Sequence, residues 1–324
     1  MTQQAAHGYL RHGLTPFFRL PAVMPLDHRG PAVDSPSYDG ADAVLLGVPH
    51  DAGTTYQPGA RFAPFHVRRV SALVQGHHLE HGCDVFHRIS ALDGGNVAFP
   101  PFDREIMRAA VEGEVARVVA AGAAPFVVGG DHSVALPALR AVARKHGPLA
   151  VVHVDAHLDL SGPETWGDEF HHGTPLRHAI KEGLIAQGQL HQLGIRGPWG
   201  TAEDAALARS IGGTLVTAPE FDARGVPAIM AELREKIGER PVYLTFDIDG
   251  VDPSFAPGTG TPVPGGLTSR EALALVRGLA GTRLVGMDLV EVAPALDHAD
   301  LTVNLAAYLL FEGLAVLAMS PERQ

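Results

Sequence analysis

An α/β fold, with a mainly parallel central sheet and helices on both of its faces, is what this sequence predicts, and three observations predict it. Short apolar runs alternate with stretches of helical periodicity over most of the 324 residues. No low-complexity tract or composition shift marks a linker, so one large domain over 1–324 is expected, with 1–35 as an N-terminal extension. Clusters of Asp and His follow directly after apolar runs, where open α/β sheets place their sites.

Taken in order, the buried strands are expected at 43–47, 89–92, 125–128, 149–154, 191–194, 214–217, 242–246 and 284–289. Helices are expected between them, near 65–74, 104–121, 136–145, 175–183, 201–211, 227–237, 269–279 and 300–317. The result is a three-layer arrangement around eight strands. No stretch offers roughly twenty uninterrupted apolar residues, and the opening residues lack the basic start and apolar run of a secretory signal. A cytoplasmic protein with no membrane partner is expected.

With 46% hydrophobic and 19% charged residues, the chain can bury a large core. Its formal net charge of -11 argues against nucleic acid, because affinity for that backbone comes from clustered Lys and Arg. A small cationic partner suits the sign better. Cys83 is the only cysteine, which excludes an intrachain disulfide and thiolate metal sites. Any metal must live on oxygen and imidazole.

Three clusters supply those donors. Asp131-His132-Ser133 comes after the 125–128 run, Asp155-Ala156-His157-Leu158-Asp159 after 149–154, and Asp247-Ile248-Asp249 after 242–246. Singly, each reads as a turn or a helix cap. Together, His132, Asp155, His157, Asp159, Asp247 and Asp249 would meet at adjacent strand ends in a chain with only 25 Lys and Arg to pair them. A pair of divalent cations is the simplest compensation for burying them. Two histidines and four aspartates form a hard set that favours two Mn2+, with Ni2+ or Co2+ as alternatives. Two such ions would cancel the four carboxylates and lower the pKa of a shared water toward neutrality.

These clusters resemble those of the ureohydrolases, the family of arginase and agmatinase, and the resemblance runs over most of the chain. It includes Pro58 to Pro64, His172-Gly173-Thr174-Pro175, the 252–262 loop and Glu291-Val292-Ala293-Pro294, all in the family's order. The Pro58 to Pro64 segment and Asp297 to Thr302 look more like the agmatinase branch than arginase. The resemblance implies an arginase-like fold with a parallel eight-stranded sheet, two manganese ions and a homotrimer or homohexamer. It implies that Asp155 and Asp247 bridge the ions, His132 and Asp159 bind one, and His157 and Asp249 the other.

Guanidinium is delocalised and stays protonated, so its hydrolysis needs an activated water, a clamp for the planar cation and a proton for the leaving amine. Glu291 is the candidate clamp, through parallel hydrogen bonds. Asp159 could pass a proton to the leaving nitrogen, and His172 could shuttle it to solvent. Thr261 resembles the family's threonine that contacts the guanidino group or urea. The expected substrate is a linear guanidino compound cleaved to urea and an amine, agmatine first because Glu164, Asp168 and Glu169 would attract its distal ammonium. Guanidino acids, arginine and guanidine are the alternatives. Leu158, Leu160 and Trp166 depart from the usual agmatinase pattern around the substrate tail.

Two other classes compete. One is a non-catalytic partner subunit, which intact copies of the whole ligand set oppose. The other is a zinc amidohydrolase of the deacetylase type, which four aspartates disfavour. Elsewhere, Arg61 reads as a structural carboxylate partner, and His77, His78, His81 and Glu80 as a solvated loop able to catch an adventitious metal.

Overall fold

The computed structural model describes residues 15–23, 37–198 and 200–321. Eight parallel strands form one sheet. They are β1 (Ala43–Gly47), β4 (Ala91–Asn96), β5 (Ala124–Val128), β6 (Leu149–Val154), β7 (Ile185–Ile195), β8 (Thr214–Thr217), β9 (Pro241–Asp247) and β10 (Arg283–Val290). The spatial order is β4-β1-β5-β10-β9-β6-β7-β8. A separate antiparallel hairpin joins β2 (His77–His78) to β3 (Cys83–Asp84).

Alternate side chains of each strand leave on opposite faces, and each face is covered by helices. Leu45, Phe126, Val152, Leu244 and Met287 pack beneath Ala63–Ser71, Val226–Ile237, Ser269–Arg277 and Leu301–Ala318. Val44, Val127, Val151 and Tyr243 pack beneath Arg104–Ala120, Ala135–His146 and Pro175–Lys181. Leu301–Ala318 is apolar and long enough to cross a membrane by length alone, but 83% of it is buried inside the protein. It is a core helix.

Three departures from the sequence expectations have local causes. β7 begins at Ile185 rather than 191, because Gln187, Gly188 and Gln189 break its apolar run while the pairing with β6 continues across a register shift. Helix Ala218–Arg224 was not expected; it starts where the Thr217 N–H donates to Glu220 at 2.7 Å. The histidine-rich patch is the hairpin, not a solvated loop, and His78 is 3% exposed. The expected extension over 1–35 lies mostly outside the described residues. Its described part docks: the Phe17 N–H donates to buried Asp93 at 2.8 Å, and Arg68 lies over the Phe17 ring.

Four adjacent strands, β5-β10-β9-β6, carry the chemistry. Their register aligns Leu289 with Val128, Val290 with Asp247, and Val154 with Phe246, so the chain turns that follow these strands open at one level. The turn after β5 needs Gly130, since a Cβ there would meet the His50 carbonyl oxygen at 1.4 Å. That contact brings the 50–55 segment against the same rim.

Candidate metal centre and cleft

His132 leaves the turn after β5, Asp155 leaves β6, and Asp247 ends β9. Their side chains converge. His132 Nδ1 lies 3.2 Å from Asp155, 2.9 Å from Asp159 and 3.2 Å from Asp247. His157 Nδ1 lies 3.3 Å from Asp155 and 3.0 Å from Asp249. All six expected ligands therefore occupy one spot, in two lobes that share Asp155. Asp131 and Asp252 stand apart as turn staples: Asp131 accepts from Gly53 and Ser133, and Asp252 from Ser254, Gly265 and Gly266.

The donor set fits cations. His132 Nε2 meets Thr245 Oγ1 at 2.8 Å, Thr245 donates to Asp288 at 2.6 Å, and Tyr243 donates to the other Asp288 oxygen. With Thr245 committed to Asp288, the ring proton of His132 belongs on Nε2. That chain leaves Nδ1 as a bare lone pair, and Nδ1 is buried with no hydrogen-bond partner. His153 Nε2 likewise meets Asp155 at 2.7 Å while Gln192 donates to His153 Nδ1 at 3.1 Å, which makes His153 a donor to the carboxylate.

Electrostatics reach the same conclusion. Burial, with Asp249 and Asp155 nearby, holds the Asp247 pKa well above the carboxylate range, and burial raises Asp249. Burial opposes charge on His157, yet Asp249 and Asp155 outweigh it and push His157 up to about 12. Burial also opposes charge on His132, and Asp159, Asp155 and Asp247 overcome it there too. The carboxylates therefore favour positive charge at His132 and His157, the charge a cation would bring in place of a proton on His132 Nδ1.

Glu291 follows β10 and is 2% exposed. Its Oε1 accepts from the His132 N–H at 2.9 Å and meets His172 Nδ1 at 2.8 Å. His172 Nε2 in turn meets Thr55 Oγ1 at 2.8 Å. Burial would lower the His172 pKa, but Glu291 raises it to about 9. Asp159 (φ 52°) and Glu291 (φ 63°) both sit in the left-handed region, a conformation that costs about 1–3 kcal/mol for a residue with a side chain. Thr261 donates to the Asp249 carboxylate at 3.1 Å, so it orients a ligand.

A cleft of about 210 Å³ opens from this cluster, walled by Leu158, Ser161, Trp166, His172 and Thr201 as it leaves the sheet. Asp168 is held outside that wall by Arg104 and the Phe170 N–H. Asp204 lines the wall, but its carboxylate caps Thr201 and faces Arg177 at 3.7 Å. Arg61 pairs with Asp51, as a structural cation would.

Sequence reasoning missed His153, Gln192, Arg196 and Thr245. His153 was detectable, since it stands two residues before Asp155 and therefore on the same face of the strand. Arg196 donates to the carbonyls of Gly194, Asp249, Gly250, Val251 and Val263, tying the 249–263 segment to β7. No pattern in the sequence announces that role.

Comparison with known proteins agrees with this arrangement. The arginase family model matches residues 41–315. Proclavaminate amidinohydrolase of Streptomyces clavuligerus is 45% identical over 90% of each chain. Its solved structure superposes with a TM-score of 0.86 at 43% identity, covering 95% of this chain and 98% of that one. Guanidinobutyrase of Pseudomonas aeruginosa is 42% identical, over 89% of this chain and 91% of its own, and mitochondrial agmatinase of Gallus gallus 42% identical, over 87% and 82%. Enzymes of this family use a binuclear metal centre. The chain belongs to the arginase family, as an amidinohydrolase that acts on guanidino compounds.

Proposed function

We propose that this enzyme hydrolyses a linear guanidino acid with a short aliphatic tail to urea and an amine, at a centre of two manganese ions. The observation that carries the hydrolytic part is the convergence of His132, Asp155, Asp159, Asp247, His157 and Asp249 at the inner end of a cleft that is lined by Asp159, His157, Asp247, Asp249 and His172, with buried Glu291 behind His172. Bound there, the two ions supply the Lewis acidity that brings a water to nucleophilic strength near neutral pH.

The protein's own groups supply the rest. With Oε1 of Glu291 engaged by His132 and His172, Oε2 receives one guanidinium N–H, and a second contact forms when His172 yields its place. Asp159 holds the proton destined for the leaving nitrogen. His172, linked to Thr55 beside the cleft, exchanges protons with solvent.

Agmatine, favoured by the acidic residues in the sequence, becomes the second reading. Asp168 is spent on Arg104 and Asp204 on its own helix cap and Arg177, so neither carboxylate is free for a distal ammonium. The hydroxyls of Ser161 and Thr201 beside the cleft suit a carboxylate tail better. Agmatine keeps one point in its favour: Asp204 lines the wall and would meet an ammonium once its 3.7 Å contact with Arg177 opens. A homo-oligomer is also proposed, supported by the exposed Phe62, Phe65, Leu301 and Tyr308, and sedimentation gives its size.

Urea release from guanidinobutyrate, guanidinopropionate, agmatine, arginine and guanidine, with manganese and with nickel, is the test. A guanidino acid should lead by at least about tenfold in kcat/KM, equivalent to about 1.4 kcal/mol of transition-state binding. Agmatine in first place would overturn the tail assignment. Urea from none of them would overturn the reaction. Glu291→Gln should lower kcat by roughly a hundredfold with both ions retained, as expected for loss of a charged contact to the reacting group.

A further inference from the structure

A second group of metal-binding side chains lies far from the cleft, where the hairpin meets the C-terminal helix. One ring nitrogen of His78, one of His81 and one oxygen of Glu312 lie within 4.8 Å of one another. His78 Nε2 meets Glu312 at 2.8 Å, and its Nδ1 accepts from the His81 N–H at 3.2 Å. The two rings stand 4.4 Å apart, and His78 stacks on Phe311 at 5.7 Å. His81 Nε2 is buried and has no hydrogen-bond partner.

The buried charge is met, but the hydrogen bonding is not. Glu312 is 5% exposed and sits in the apolar helix Leu301–Ala318, with Glu80 nearby, 3.6 Å from His78 Nδ1. Arg277 pairs with both, donating to Glu312 through Nε at 3.2 Å and lying 3.1 Å from Glu80. Glu80 is more than half exposed, so Arg277 balances the buried Glu312, and the unmet requirement of the cluster is the buried His81 Nε2. Burial and the neighbouring His78 lower the His81 pKa, so its ring is neutral and can offer a lone pair at neutral pH.

We propose that His78, His81 and Glu312 bind a divalent cation of the zinc class, which staples the hairpin to the C-terminal helix. Two imidazoles and one carboxylate form the three-ligand set that zinc accepts with water in the fourth position, and imidazole suits zinc, nickel or copper better than manganese. Metal–ligand bonds of about 2.0–2.2 Å in a tetrahedron put donor atoms roughly 3.4 Å apart. Closing from the observed spacing takes a side-chain adjustment of His81, which lies in the turn between the two hairpin strands. His78 also gives up one of its two contacts, the Nε2 proton shared with Glu312 or the Nδ1 bond from the His81 N–H, to present a lone pair.

The full-length protein, its cleft first loaded with manganese, is titrated with Zn2+ and bound metals are counted by mass spectrometry after desalting. Wild type should hold about one zinc per chain that His81→Gln and His78→Gln both lose, with the manganese content unchanged. Co2+ should give the absorption of a four-coordinate ion in wild type and not in His81→Gln. Thermal melting provides the structural readout, with Zn2+ raising the wild-type midpoint and leaving that of His81→Gln in place. Should His78→Gln fail to fold, the half-exposed His81 variant decides alone. Equal zinc uptake by wild type and His81→Gln would overturn the proposal, and so would a wild type that holds no zinc beyond the cleft.

Discussion

At one end of the cleft every donor stands just beyond a strand of the same sheet, whereas at the other end Leu158, Ser161, Trp166 and Thr201 hang from connecting segments. The metal end is held twice over. Parallel pairing fixes the level of Val290, Asp247, Val154 and Val128, and buried donors such as Thr245 and His153 fix the ring or carboxylate that each ligand presents. The tail end is held by isolated ion pairs, exposed Arg104 with Asp168 and Arg177 with the buried Asp204. A rigid sheet edge suits a reaction that is common to a family, and connecting segments held by isolated pairs suit a substrate tail that differs among its members.

That contrast predicts large effects at the metal end and small ones at the tail. Asp155→Asn and Asp247→Asn each remove a carboxylate from a cluster that concentrates four, so turnover should fall by more than about a thousandfold, or about 4 kcal/mol of barrier. Metal analysis should find the loading reduced in parallel. A variant that kept both ions and normal turnover would break the comparison at its stronger end.

His153→Ala comes next. It deletes the donor to Asp155 without deleting a ligand, and loss of such support costs roughly 10–100-fold in metal affinity. Competition with a chelator measures this directly. Asp168→Asn is the corresponding change at the tail. It loosens the Arg104 pair and should alter KM several-fold, unequally among guanidino substrates, with kcat kept within about threefold. A uniform loss across all substrates would show that the 160–172 loop serves the chemistry rather than the choice of tail.

The smallest effect on turnover is expected at His191, on β7 and away from the cleft. Burial, helped by Lys236, lowers its pKa to about 4. A histidine with a depressed folded pKa contributes stability that is fully present above the unfolded value of about 6.5 and is lost as pH falls toward 4. His191→Gln should therefore flatten the stability profile between those limits while leaving kcat unchanged, as chemical denaturation at a series of pH values would record.

The convergence of the six candidate ligands was legible because each cluster is contiguous in sequence and follows a strand whose apolar character is unmistakable. The same contiguity made β6, β9 and β10 readable to within a residue at either end. What escaped is what lies inside those strands. Thr245 interrupts an apolar run and carries no label that separates a buried donor from an irregularity, whereas His153 carries one only through its alternation with Asp155. Gln192 and Arg196 act across the sheet on Leu158 and on the 249–263 segment, contacts that exist only after β7 is placed beside β6. His78 was read as solvated because His77, His78, Glu80 and His81 make its neighbourhood polar, and only the packing of the hairpin on Phe311 buries it.

Arg196 grips only main-chain oxygens: those of Gly194, Asp249, Gly250, Val251 and Val263. A grip of that kind is indifferent to which side chains the gripped segment bears. The exposed positions Ser254 and Phe255 can therefore exchange residues over evolutionary time, while Gly260, where a Cβ would meet the Gln57 carbonyl oxygen at 2.4 Å, and Thr261 beside Asp249 keep the path constant.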